Sequence, residues 1–160
     1  MVLESQVLSE AVLLLQNEGK LLTFPGARIR IKVFNEAVSG RYSLIDYQAD
    51  PAYAGPPPHW HKETIELFFV LEGELTFQLG ERTFTASAGA SVLIPTGIVH
   101  KFSNPSAQSA RFLIVVSPGG FEHYFEELEA AIRIAGGMPA RETMVALFKR
   151  YDTYDPAELG

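Results

Sequence analysis

From Leu21 onward, apolar and polar positions alternate with a period of two, as they do in strands that bury one face. Arg28-Ile29-Arg30-Ile31-Lys32-Val33 keeps this alternation without a break. Its basic residues share the outer face, where charge keeps a strand solvated and resists edge-to-edge association. Further strands are predicted at Tyr42–Tyr47, Glu66–Leu71, Glu74–Leu79, Arg82–Ala86, Ser91–Ile94, His100–Ser103 and Ala110–Val116. Turns fall at Glu72-Gly73, Gly80-Glu81, Ala88–Ala90 and Pro95-Thr96-Gly97, and a proline-rich loop covers Pro51–Pro58. Many short strands punctuated by Gly and Pro imply a β-sandwich or barrel. Alternation from Glu66 turns Phe68 and Val70 inward, with Phe77, Phe102, Phe112 and Ile114 on other strands as their companions.

After Ser117-Pro118-Gly119-Gly120 the period lengthens to that of a helix. Phe121, Tyr124, Phe125, Leu128, Ile132 and Ala135 make one apolar stripe, ended by Gly136-Gly137. A second helix is predicted from near Pro139, with Met144, Leu147, Phe148 and Tyr151 on one side. Both are expected to pack against the outside of the barrel or a partner subunit, without chemistry of their own. At the other end, Val7, Leu8, Ala11, Val12, Leu14 and Leu15 recur near helical spacing, which favours a helix within residues 1–19. The same residues would suit a strand added to a partner's sheet. The acidic tail from Asp152 to Glu158 reads as solvated. The organisation expected is an extension over residues 1–20, a β-barrel over 21–118 and a helical segment over 119–160.

Composition narrows the chemistry. The 160 residues carry a net charge of −6, which argues against nucleic acid as a partner. There is no cysteine, so disulfides, thiolate zinc sites and a cysteine nucleophile are excluded. The apolar run Ala11–Leu15 is too short to span a bilayer, and Glu4 stands where a signal sequence would be basic. No membrane association and a cytoplasmic location are expected.

Histidine is scarce and clustered. Of the four in the chain, His59 and His61 lie two apart, which on a strand places both imidazoles on one face. Glu66 opens the next apolar strand, and His100 follows the Pro95-Thr96-Gly97 turn. Three neutral imidazoles and a carboxylate suit one divalent transition metal, with Fe, Mn, Ni, Zn, Cu and Co all admissible. Trp60, between the two histidines, is expected to face the other packing layer. His123 is read as a helix-surface or packing residue.

The run Gly55-Pro56-Pro57-Pro58-His59-Trp60-His61, then Glu66, then Gly73, resembles the first motif of the cupin superfamily. Gly89, Pro95-Thr96-Gly97, His100 and Asn104 match the second. One departure is that Gly55 stands closer to His59 than the motif has it, which touches the approach loop and leaves the ligands alone. Glu63 is a fallback ligand, but only Glu66 keeps the motif's spacing to Gly73. The resemblance covers roughly residues 21–120 and implies a double-stranded β-helix, the jelly-roll cupin barrel, followed here by two C-terminal helices. It also implies that His59, His61, Glu66 and His100 hold the metal and that positions on it stay open.

Within the superfamily, the opening Gly-Pro-Pro-Pro-His-x-His and the segment Gly120-Phe121-Glu122-His123-Tyr124-Phe125 resemble the small quercetin-dioxygenase-like cupins. That likeness implies a metal-dependent dioxygenase acting on a small enolic or phenolic substrate, with Glu66 as ligand and catalytic base. Two other functions stay open. One is a metal-dependent isomerase or lyase on a sugar or keto acid, against which the sparse basic residues near the motifs, Lys62 and Lys101, count mildly. The other is a non-enzymatic small-molecule-binding cupin. A homodimer is expected, paired through an edge strand or a terminal segment.

Overall fold

The structure is a computed structural model and describes residues 11–159. It is mainly β, with antiparallel pairing throughout. Strands β1 (Lys20–Phe24), β2 (Ala27–Val33), β3 (Ser43–Ala49), β5 (Ile65–Glu72), β8 (Ser91–Ile94) and β10 (Ala110–Ser117) form one sheet in the order β1-β2-β3-β10-β5-β8. A second sheet holds β6 (Glu74–Leu79), β7 (Arg82–Ser87) and β9 (His100–Ser103), with β6 in the centre. The short β4 (Trp60–His61) pairs with β11 (Thr153–Tyr154), close to the end of the chain. Between β10 and β11 run helices α1 (Phe121–Ala135) and α2 (Arg141–Arg150). No helix among the described residues is long and apolar enough to cross a membrane.

The alternation in the sequence is the alternation of burial. Along β3 and β10 every second residue is buried, and these residues meet in one core. Phe68, Phe77, Phe102 and Phe112 pack at its centre, with Phe68 within 5.1 Å of Phe77 and 5.3 Å of Phe102 between ring centroids. Tyr47 stacks on Phe112 at 4.7 Å. This aromatic floor fills the barrel below the histidines. All six residues expected to face inward, from Phe68 to Ile114, are buried.

One sequence-based expectation about the fold fails. Residues 11–19 form no helix, only irregular chain and a turn; the remainder of that proposed helix lies outside the described residues. Lys32 explains the local shape, because its ammonium donates to the carbonyls of Leu15 and Glu18 and so holds the segment against β2. The helices pack on the barrel as expected, and they do more than coat it. Helix α1 packs on β1 and β3 and α2 packs on α1, so that their apolar stripes roof a cavity at the barrel mouth.

Candidate metal centre

His61, Glu66 and His100 are buried, and His59 is half-buried at the mouth. Glu66 lies in the inward phase of β5 with Phe68 and Val70, so a carboxylate occupies the last core position of a central strand. His100 opens β9 in the inward phase shared with Phe102. Backbone bonds lock the two motifs together. His59 and His100 exchange N–H···O=C bonds of 3.0 and 2.8 Å, and the Gly97 N–H donates to the His61 carbonyl at 2.8 Å. Gly97 adopts φ +75°, a conformation a Cβ would resist, and so turns that N–H back onto β4.

Gly55 explains its irregular placement. It sits at φ +72° against β9, where an added Cβ would lie 1.7 Å from the Phe102 carbonyl oxygen. The proline loop therefore rests directly on the strand that carries His100.

Each imidazole is oriented the same way. His59 Nδ1 donates to the Pro57 carbonyl at 2.8 Å, His61 Nδ1 to that of Asp152 at 2.8 Å and His100 Nδ1 to that of Ile98 at 2.9 Å. A carbonyl only accepts, so each Nδ1 carries the proton and each Nε2 offers a lone pair. Burial pushes the His59 imidazole down to about 4, and the neighbouring His100 adds to it, so His59 is neutral at neutral pH. Burial works to raise Glu66, but contacts with His100 and His61 outweigh it and hold the carboxyl well below the usual range. Burial works to lower His61, and the Glu66 carboxylate beside it more than reverses this.

The result is a set of acceptors facing acceptors. Glu66 Oε2 lies 2.8 Å from His100 Nε2 and 3.5 Å from His61 Nε2. Even so, all three atoms are buried without a hydrogen-bond partner. Buried polar atoms are rarely left so, because each costs roughly 1–3 kcal/mol. A shared cation satisfies them together. The donor atoms of all four residues lie within 4.8 Å of one another, the spacing of ligands that each stand about 2 Å from one ion. The cluster could therefore hold a metal ion, and its nitrogen–oxygen donor set suits a divalent transition metal.

The neighbouring residues fall out differently. Trp60 turns away from the cluster, packs at a tilt on Tyr154 with ring centroids 5.0 Å apart and donates its indole N–H to the Asp155 carbonyl. Glu63 stays exposed and outside the cluster. His123 bonds Glu36 and Glu126, each at 2.7 Å, and Glu122 beside it is buried with the Asn35 N–H, the Gly120 N–H and the Ser43 hydroxyl as donors. That second acidic group is a satisfied network.

The acidic tail is not simply solvated, contrary to the expectation from composition. The Asp152 carboxylate accepts from the Lys62, Glu63 and Thr64 N–H groups and from the Thr64 hydroxyl, while its carbonyl holds His61. Burial works to raise its pKa, but these donors outweigh it and hold it below the usual carboxylate range. The one local signal was the β-prone pair Thr153-Tyr154, too short to read as a strand.

Beside the cluster lies an apolar cavity of about 220 Å³. His59 and Glu66 stand in its wall with Tyr47, Tyr53 and Phe102 of the barrel side. Phe121, Tyr124, Phe125, Leu128, Met144 and Phe148 of the helices close it. Tyr47 and Tyr53 join hydroxyls at 2.6 Å.

The fold, both motifs and the donor cluster agree with the comparison that decides the family: the cupin domain model matches residues 47–116. The chain carries a cupin domain over these residues. Among solved structures, this cupin is similar to an RmlC-like cupin of Shewanella frigidimarina, with TM-score 0.60 and 16% identity, over 71% of this chain and 96% of that one. It is also similar to the polyketide cyclase RemF of Streptomyces resistomycificus, with TM-score 0.59 and 28% identity, over 68% and 80% of the two chains. A curated relative, the polyketide synthase CurC of Streptomyces cyaneus, is 33% identical over 60 residues, which are 38% of this chain and 39% of CurC. The chain spans half or less of the length of the curated relatives it matches.

Proposed function

We propose that this cupin is a metal-dependent oxidoreductase of the dioxygenase type. Its substrate is a small apolar molecule bearing an enolic or phenolic hydroxyl, and His59, His61, Glu66 and His100 hold one divalent metal. One observation carries the reading: the donor cluster opens through His59 and Glu66 into an aromatic-walled cavity. Such a wall selects flat, apolar molecules, and the few polar groups in it fix their orientation. A metal in this site would supply Lewis acidity toward an enolate or phenolate oxygen and, where redox-active, electrons toward O₂.

The residues of the chain divide the remaining work. Glu66 stands in the cavity wall beside the cluster, so its carboxylate is placed to accept the substrate hydroxyl proton. His59, half-buried between the cluster and the cavity, borders the approaching substrate. The helical roof excludes water, and the Tyr47–Tyr53 pair offers hydroxyl contacts to substrate oxygen. The quercetin-dioxygenase-like reading rests on the Gly55–His61 opening and on the Gly120–Phe125 segment, whose Phe121 and Phe125 are cavity walls.

A second reading, ring closure of a polyketide-like enolate without O₂, draws support from the likeness to RemF and CurC. The sugar isomerase alternative finds less support, because no lysine or arginine is among the residues lining the cavity. Oxygen-electrode measurements on metal-loaded protein with flavonols, diketones and catechols decide between these. Uptake of O₂ coupled to substrate loss supports the dioxygenase. Turnover of a polyketone under anaerobic conditions favours the cyclase, and a retained ligand with no turnover favours a binding protein. No O₂ uptake with any member of the panel sinks the first reading.

A further inference from the structure

The loop from His61 to Glu66 carries a donor of the cluster at each end, and its middle is exposed at Lys62 and Glu63. What holds it comes from the far end of the chain. Asp152 Oδ1 accepts the Lys62 N–H at 3.1 Å. Its Oδ2 accepts the Glu63 N–H at 2.9 Å, and the Thr64 N–H and hydroxyl at 2.8 Å each. The backbone carbonyl of the same residue takes the His61 Nδ1 proton at 2.8 Å. Asp152 sits at φ +53°, in the left-handed region that Asp tolerates better than most side chains. That conformation aims its carboxylate and its carbonyl at one loop. The pairing of Thr153 with His61 across β11 and β4 fixes the register.

We propose that Asp152 is a positioning residue of the metal centre, which sets the loop between His61 and Glu66 and presents the His61 Nε2 lone pair to the ion. The proposal rests on the metal reading of the cluster. Contacts of this kind orient ligands and tune affinity without touching the metal. The same segment follows α2, whose Met144 and Phe148 wall the cavity, so the roof and the metal centre share one anchor.

The test is a Co²⁺ titration of the full chain, followed by visible absorbance, with apo-protein circular dichroism and thermal unfolding measured alongside. Asp152→Ala is expected to weaken Co²⁺ binding by about 10–100-fold while the apo spectrum stays that of the wild type. Asp152→Asn, which keeps one oxygen acceptor and the backbone carbonyl, is expected to lose less and to recover part of the Co²⁺ absorbance. Lys149→Ala, which breaks only an exposed pair with Glu158, is expected to bind as the wild type does. Should Asp152→Ala fail to fold, Asp152→Asn decides, since wild-type affinity and spectrum in it overturn the proposal. Wild-type Co²⁺ affinity in a folded Asp152→Ala overturns it equally. A wild type that binds no Co²⁺ sinks the metal reading itself, a result the variants cannot mimic.

Discussion

The hydroxyls of Tyr47 and Tyr53 meet at 2.6 Å, one buried in the barrel wall and the other half-buried beside the proline loop. Two hydroxyls carry two protons, and a single bond between them uses one. The other remains free to donate into the cavity. Burial raises the Tyr47 pKa first, with the nearby Tyr53 adding to it, so the buried member stays a neutral phenol.

The two phenylalanine variants are therefore expected to differ. Tyr53→Phe leaves the buried Tyr47 hydroxyl without a partner, at a cost of about 1–3 kcal/mol. Tyr47→Phe leaves the half-buried Tyr53 hydroxyl, which water can reach, so its loss is smaller. Urea denaturation of both variants measures the difference. Equal losses would mean that the pair is not the buried contact described.

Removing any histidine of the cluster is expected to abolish stoichiometric metal. Elemental analysis of protein from its own host, beside His59→Ala and His100→Ala, reads this directly. His100→Ala leaves Glu66 facing one imidazole in a buried site, so it is expected to be the more destabilising of the two. Unchanged metal content in both variants would sink the metal reading.

Much of this was legible from pattern alone. The period-two alternation placed Phe68, Val70, Phe102, Phe112 and Ile114 in the core, because strand geometry links sequence parity to burial. The donor cluster was legible from the two motifs and their spacing, and the structure places Glu66 and His100 in phase with core residues of their own strands. What escaped was long-range. Nothing local to Asp152 shows that its carboxylate meets Lys62–Thr64, since that contact depends on where α2 ends in space. The apolar stripes of α1 and α2 were read as packing faces, and Tyr124 and Leu147 of them are buried, but a stripe against a core and a stripe over a cavity share one sequence pattern. Residues 11–19 misled because leucine and valine at helical spacing can as well lie in irregular chain, here tied to β2 by Lys32.

His123 gives the fold a dependence on pH apart from the metal centre. Burial acts to lower its pKa, but bonds to Glu126 and Glu36 outweigh this and raise it. A raised folded-state value means the protonated imidazole stabilises the folded chain fully below the unfolded value of about 6.5. That contribution is lost as pH climbs through the folded value. Between pH 6 and pH 9 the wild-type melting temperature is therefore expected to fall further than that of His123→Gln. Parallel melting profiles for the two proteins would contradict this.

The outer face of β5 and β8 bears on assembly. Sheet faces turned to water normally carry polar residues, yet Ile65, Leu67, Phe69 and Leu93 are all exposed there. Leu67 and Leu93 stand directly opposite each other across the strand pair. Val12, Leu13, Leu14 and Leu15 are exposed as well, so two apolar surfaces stay uncovered among the described residues. Contiguous apolar surface of this kind marks an interaction site, and a second copy of the chain is the partner we propose. Sedimentation velocity at micromolar concentration is expected to show a dimer, and Leu93→Lys with Leu67→Glu to shift it toward monomer without unfolding it. Opposite charges on neighbouring strands keep the sheet paired while removing the apolar surface. A monomeric wild type would exclude the homodimer, and a dimer indifferent to these substitutions would move the interface to Val12–Leu15.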